Sequence, residues 1–412
     1  MDNEIKSHFR SNYIANLLDG GFFGFALGFA SLSTVIPLFV SNMTDSAILI
    51  GLVPAIHAMG WQLPQLFNAR QVSQLKRFKP YVLVMTIQER VPFLGLILIA
   101  WQLPTIGLRW GLILTFIMLI WQGLGAGFAA NPWQNLIGKI FPSEYRGTFF
   151  GLQGAAANLL ASVGAILAGF ILQKVAFPDN FALCFLYASL CLVVSFFSLS
   201  STHEPERTTE ILPSSSILFW NSVLSILKRD LPFRSFLLSR VLSQFGNMAF
   251  AFYTVYAVRR HGISEITAGV MTSVLMISQV AANPILGWLA DRWSRKWILE
   301  MGAVCAMLSA ILAWLAPNIA IFFIVVILAG IAITAFWTIG MTLTLDFGTD
   351  EEKPTYIGLA NTLIAPATIL APLIGGWLAD RAGYSATFLF AASASLATVV
   401  VLHFAVHDKR QE

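Results

Sequence analysis

The sequence predicts an all-α integral membrane protein with twelve transmembrane helices in two six-helix halves. Three observations carry that prediction. Hydrophobic residues make up 57% of the 412-residue chain and charged residues only 11%, with a mean hydropathy of +0.73. A soluble domain carries about a quarter charged residues and could not bury so much apolar surface in one core. The apolar runs are about 20 to 30 residues long, the length a helix needs to cross hydrocarbon, and they lack the strict alternation of a membrane barrel. The longest polar stretch falls halfway, between the sixth and seventh runs.

Taken in order, the predicted spans are 12–40, 46–68, 80–103, 108–139, 147–174 and 180–200, then 233–258, 265–290, 296–316, 318–346, 354–380 and 384–406. Residues 1–200 form one half and 233–412 the other, joined by a cytoplasmic linker over 201–232. The linker opens with STHEPERTTE, which is charged and turn-rich. Ile217, Trp220, Leu224 and Leu227 then recur at helical spacing, so this piece is expected to lie along the membrane surface with Lys228 and Arg229 toward headgroups. The polar start MDNEIKSHFR and the long first run read as an uncleaved first helix with a cytoplasmic N-terminus. With that orientation, 18 Lys and Arg fall on cytoplasmic segments and five on external ones, leaving Arg90 and Arg240 within helices. The bias puts both termini in the cytoplasm, in a plasma (inner) membrane. It also accounts for the basic balance without nucleic acid as a partner. Cys184, Cys191 and Cys305 all lie in apolar runs, with no CxxC or Cys/His cluster, so neither a disulfide nor a metal or other cofactor site is expected.

Faint repeats accompany the halfway break. FRS opens the first span at Phe9 and the seventh at Phe233. FPSEYRGTFFGL (Phe141–Leu152) precedes the fifth span and GTDEEKPTYIGL (Gly348–Leu359) the eleventh. A stronger repetition is GWLADR, at Gly287–Arg292 and again at Gly376–Arg381. The first copy ends span eight and the second ends span eleven. Three crossings separate them, so they belong on opposite faces and are not equivalent elements of the two halves.

GWLADRWSRK resembles the cytoplasmic loop signature of the major facilitator superfamily, G-x-x-x-D-[RK]-x-G-[RK]-[RK]. Gly287, Asp291, Arg292, Arg295 and Lys296 match, and Ser294 replaces the second glycine. The family carries the signature in loop 2–3 as well. There NARQVSQLKRFK has Ser73 at the aspartate position, so that copy is degenerate. The resemblance implies a secondary transporter that works by alternating access, with Gly287, Asp291, Arg292, Arg295 and Lys296 as a cytoplasmic gate. The physics fits that role. Asp291 can accept hydrogen bonds at a helix N-terminus, the basic residues can bridge to neighbouring helix ends, and Gly287 allows close packing. Positive-inside topology plus tight packing would also explain these residues.

Ionisable groups at membrane depth are costly and often functional. Asp19, Glu89, Arg90, Arg240 and Asp346 are in that position. They are expected either to pair, Asp19 with Arg90 and Asp346 with Arg240 or a gate arginine, or to carry protons and anchor an anion. The family's L-x-x-R-x-x-Q-G pattern in span four is incomplete here: Gln122 and Gly123 match, and Leu119 holds the arginine position.

The resemblance places a substrate near mid-membrane between the halves. Polar candidates there are His57, Trp61, Gln62, Gln122 and Asn158, then Gln244, Asn247, Gln279, Asn283, Trp337 and Asn361. Amides supply paired donors and acceptors and aromatic faces suit rings, so the set fits a neutral polar or amphipathic organic solute. Hydrogen bonds between helices would use the same residues. The expected activity is transport of a small organic solute, with efflux of an amphipathic compound as the candidate direction, by a monomer in the lipid bilayer, with protons as the candidate coupling ion. The alternatives are uptake of a sugar or other polar solute, and a transporter-derived sensor without turnover. No HExxH, GxSxG or GxxxxGK[ST] motif is present, which argues against an enzyme or an ATP-driven pump.

Overall fold

The computed structural model describes residues 2–206, 216–262 and 265–406. Its helices are, in order, α1 (Asp2–Phe29), α2 (Val35–Ser41), α3 (Ala47–Gln62), α4 (Pro64–Ser73), α5 (Lys79–Ile140), α6 (Arg146–Lys174), α7 (Asp179–Ser200), α8 (Ser216–Arg229), α9 (Leu231–Asn247), α10 (Tyr253–His261), α11 (Glu265–Arg292), α12 (Arg295–Leu315), α13 (Ile319–Thr334), α14 (Gly340–Thr344), α15 (Lys353–Thr362), α16 (Ala365–Ala382) and α17 (Tyr384–Ala405). The described residues include no strand. Eight segments among them are long and apolar enough to cross a membrane by themselves. The other predicted spans are interrupted. The first is broken between α1 and α2, the second at Leu63 between α3 and α4, and the seventh by a 3-10 turn between α9 and α10.

The longest helix holds two spans. A straight 62-residue helix would measure about 93 Å, three times the hydrocarbon thickness. Gly107, at φ 79° and ψ 160°, breaks it where the sequence predicted a turn between residues 103 and 108. That backbone angle is open to glycine and strained for other residues. At the other end of the molecule, the polar start is helical. The α1 helix begins at Asp2, ten residues before the predicted span, because its first turns lie beyond the apolar run.

The chain forms two compact units. One comprises Met1–Phe141 and Ala156–Leu212, the other Pro142–Ala155 and Pro213–Glu412. The division falls inside α6, whose first turns belong with the C-terminal unit. The first unit is centred on Phe39, Phe93, Phe181 and Phe185, with the Phe39 and Phe181 rings 5.1 Å apart. Gly24 and Gly28 let α1 lie directly on the α6 backbone. A β-carbon at Gly24 would come within 2.5 Å of Ala157 Cα. The second unit packs around Tyr253, Tyr256, Phe322 and Phe388, and the buried Tyr253 hydroxyl lies 2.8 Å from Ser309 Oγ.

The predicted linker is not uniform. Its first residues are fastened to the first unit. Asn12 Nδ2 donates to the His203 carbonyl (2.8 Å), and His203 N donates to Asn12 Oδ1 (2.7 Å). The buried Glu204 carboxylate accepts from the Phe78 and Lys79 amides at the start of α5 (2.8 and 2.7 Å) and pairs with Lys139 at its end (2.8 Å). Residues 207–215 of the linker lie outside the described residues. In α8, Phe219, Val223 and Ile226 form the buried stripe, while Trp220 and Leu224 from the predicted stripe are exposed. The α8 helix therefore has two adjacent apolar edges, and the sequence pattern had identified only the outer one.

Candidate functional site

The α11–α12 loop is set by local rules. Asp291 and Arg292 close α11. Ser294 stands where the family signature has its second glycine. Its backbone is extended (φ −156°, ψ 128°), which any residue adopts, and its hydroxyl caps α12 by accepting from Trp297 N (3.2 Å). The departure from the signature is thus compatible with the turn. Arg295 is then the first residue of α12.

Asp291 is aimed at the first turn of α6. Its Oδ1 accepts from Gly147 N (2.9 Å) and its Oδ2 from Thr148 N (2.6 Å). These amides have no partner inside their own helix, and the helix dipole favours an anion there. The close approach needs glycine on both helices: a β-carbon at Gly147 would sit 2.6 Å from the Gly287 carbonyl oxygen. Arg295, buried to 1% exposure, occupies the other side of Asp291. Its guanidinium donates to Asp346 Oδ1, to the Ser143 carbonyl and, at 3.3 Å, to Asp291 Oδ1. One cation therefore bridges two carboxylates, and one of those carboxylates holds a helix end.

The five predicted gate residues separate. Gly287, Asp291 and Arg295 come together. Arg292 is exposed and lies over the Trp288 ring at 4.4 Å, because the last residue of α11 points away from α6. Lys296 turns to the end of α17, donating to the His403 carbonyl (2.8 Å), with Glu300 of its own helix 3.8 Å away. Ser143, Gly147 and Thr148 were not among the predicted residues. FPSEYRGTFFGL reads in the sequence only as a repeat, although a helix start with small residues offers backbone N–H donors to a buried acid.

The intramembrane charges form two arrangements. In the first unit Arg90 Nη2 donates to Asp19 Oδ1 (3.3 Å) and Ser195 Oγ (2.8 Å), and Ser195 donates to Asp19 Oδ1 (2.6 Å). Glu89 Oε2 is 3.7 Å from Arg90 Nη1, so two buried carboxylates share one guanidinium. Ser195 carried no sequence signal, being one serine in an apolar helix. In the second unit Asp346 pairs with Arg295 and not with Arg240, since the α12 start lies against the end of α14. Arg240 Nη1 reaches only an amide, Asn361 Oδ1, at 3.3 Å.

The substrate candidates divide between the units. His57 Nδ1 and Gln122 Oε1 are 2.9 Å apart in the first, where Gln62 is buried and Trp61 and Asn158 are half-buried. In the second, Asn283 is committed to packing. It accepts from Thr338 Oγ1 (2.7 Å) and donates to the Gln279 carbonyl (2.9 Å). Gln244 accepts from Thr368 Oγ1 at 3.4 Å, Asn247 is half-buried, Asn361 is buried and Trp337 is 54% exposed.

Comparison with known proteins agrees with this architecture. The profile of the Major Facilitator Superfamily matches residues 236–412. The structure also superposes on the "Fucose:proton symporter, FucP" of E. coli with a TM-score of 0.77, covering 96% of this chain and 100% of that one at 14% identity. The C-terminal part of the chain thus matches the Major Facilitator Superfamily profile, and the whole chain shares the fold of a solved superfamily transporter. A "bacterial homologue of iron transporter ferroportin in outward-facing state" gives a TM-score of 0.75 at 14% identity, covering 95% and 98% of the two chains. These likenesses establish the superfamily fold. "Multidrug resistance protein 1" of Bacillus subtilis (strain 168) is 30% identical over 139 residues, 34% of this chain and 36% of the relative. The chain thus matches about a third of the length of that curated relative.

Proposed function

We propose that the chain is a Major Facilitator Superfamily carrier that moves a small organic solute across the plasma (inner) membrane by alternating access, as a monomer with both termini cytoplasmic, and that the α11 end is its cytoplasmic latch. The observation that carries the reading is the pair of bonds from Asp291 to the α6 amides. A carboxylate held by the backbone amides of a helix end can release and re-form without rebuilding either helix. Such a contact biases one conformation by a few kcal/mol, a size that substrate binding can overcome. Export of an amphipathic compound is favoured over sugar uptake because the sequence likeness is to a protein named for multidrug resistance, while the sugar symporter shares the fold alone.

Counterflow in proteoliposomes tests the reading. Vesicles containing the protein are loaded with one unlabelled solute from a set of amphipathic cations, aromatic carboxylates, aromatic amides and hexoses, and entry of the labelled solute is followed. Transient accumulation of an amphipathic compound, reduced by Asp291→Asn, is the expected result. Hexose-only accumulation would replace export with sugar uptake. Saturable binding with no counterflow of any solute would refute the carrier and leave a sensor.

A further inference from the structure

Three cations inside or at the ends of the bundles already have carboxylates. Arg90 has Asp19, Arg295 has Asp291 and Asp346, and Lys139 has Glu204. Arg240 differs. No carboxylate lies within 4.0 Å of it among the described residues. The acid available by sequence, Asp346, is taken by Arg295. An unpaired guanidinium in a low-dielectric setting is expensive, and chains retain one where a counterion arrives from elsewhere.

Arg240 does not escape to the headgroups. It lies nine residues into α9, about 14 Å along the axis, and its bond is to Asn361, which is buried eight residues into α15. The Phe236 ring 5.9 Å away supports the guanidinium without neutralising it. One side of the group is open. Gly340 faces Arg240 Nε, and a β-carbon added there would meet only that atom, at 4.0 Å. Three residues earlier, Trp337 presents an exposed indole. Gln244 follows Arg240 by one turn of α9. A planar cation, open space, an indole and an amide together match an aromatic or amphipathic carboxylate: the fork takes the carboxylate and the indole takes the apolar body.

We propose that Arg240 is the anchor for the carboxylate of an organic anion, bound in the open space facing Gly340. This rests on the carrier reading and narrows its solute class. It also accounts for an arginine nine residues into α9 with no carboxylate beside it.

The test uses the full-length protein in detergent and two matched probes, 1-naphthoate and 1-naphthamide, with binding followed by titration calorimetry and thermal shift. The wild type is expected to bind naphthoate at least tenfold more tightly than naphthamide, and chloride is expected to compete. Arg240→Gln should bring the two affinities together, and Arg240→Lys should keep part of the preference. The lysine variant and chloride competition on the wild type decide the matter if the glutamine variant does not fold. Equal affinities in the wild type, or a carboxylate preference that survives in Arg240→Gln, would overturn the proposal. So would chloride binding with no naphthoate binding. Naphthoate-selective binding without counterflow would leave the anion site standing and remove the carrier reading. Equal counterflow of both probes would do the reverse.

Discussion

Replacing Asp291 by Asn tests the latch at its smallest unit. The side chain is 4% exposed, so solvent does not screen its two bonds to Gly147 N and Thr148 N. Hydrogen bonds to a charged acceptor contribute about 1.5–3 kcal/mol each. Asn keeps one carbonyl acceptor, presents an amide donor to the other helix amide, and removes the charge that faces the helix dipole. Asp346 continues to neutralise Arg295, so no fully unpaired ion is left. The net loss is about 2–3 kcal/mol, which corresponds to roughly 30- to 140-fold in the closed-to-open ratio of this contact. Amide hydrogen exchange over residues 141–152, read by mass spectrometry, reports that ratio directly. The expected result is faster exchange at the start of α6 by about that factor, with the centres of α7 and α17 unchanged. Unaltered exchange over 141–152 together with an unaltered counterflow rate would refute the latch.

Three further outcomes follow from contacts elsewhere. Arg90→Gln leaves Asp19 and Glu89 buried without their shared cation and should cost about 3–5 kcal/mol, seen as a lower thermal midpoint; adding Asp19→Asn should recover part of it, and no recovery would mean the pair is not coupled. Gly24→Val drives a side chain into the Ala157 backbone and should destabilise by about 1–3 kcal/mol, whereas Gly169→Ala, where a β-carbon meets nothing within 4 Å, should leave the midpoint unchanged. Glu204→Gln removes the charge that holds the α5 start and Lys139, so limited proteolysis should cut the 201–206 segment faster than in the wild type; equal rates would show that the Asn12–His203 bonds alone hold it.

Much of the architecture was legible in the sequence because the bilayer imposes it. Run length gave the spans, and the turn at Gly107 lies within the gap left between runs three and four. The GWLADRWSRK signature located the α11–α12 loop, since a turn carrying an acid and several bases is compact in sequence. Other features depended on which groups meet across the fold. The donors to Asp291 are a pair of backbone amides, which no side-chain motif advertises. Ser195 became part of the Asp19–Arg90 cluster only through the packing of α7 beside α1 and α5. Glu204 read as linker and became a helix cap for the same reason.

The sequence by itself determined that the chain is a bundle of membrane-length helices, which of its residues carry charge into that bundle, and that the repeated hexapeptides lie at the ends of two helices. Those properties follow from local composition, hydrogen-bonding demand and the thickness of hydrocarbon. The tertiary structure decided how the charges are shared. Composition placed Arg240 and Arg295 as equal claimants on Asp346. Arg295 holds it because the start of α12 and the end of α14 are neighbours, leaving Arg240 beside an amide and an open glycine face. A salt bridge depends on a few ångströms of separation, and sequence distances of 51 and 106 residues do not encode that separation until the helices pack.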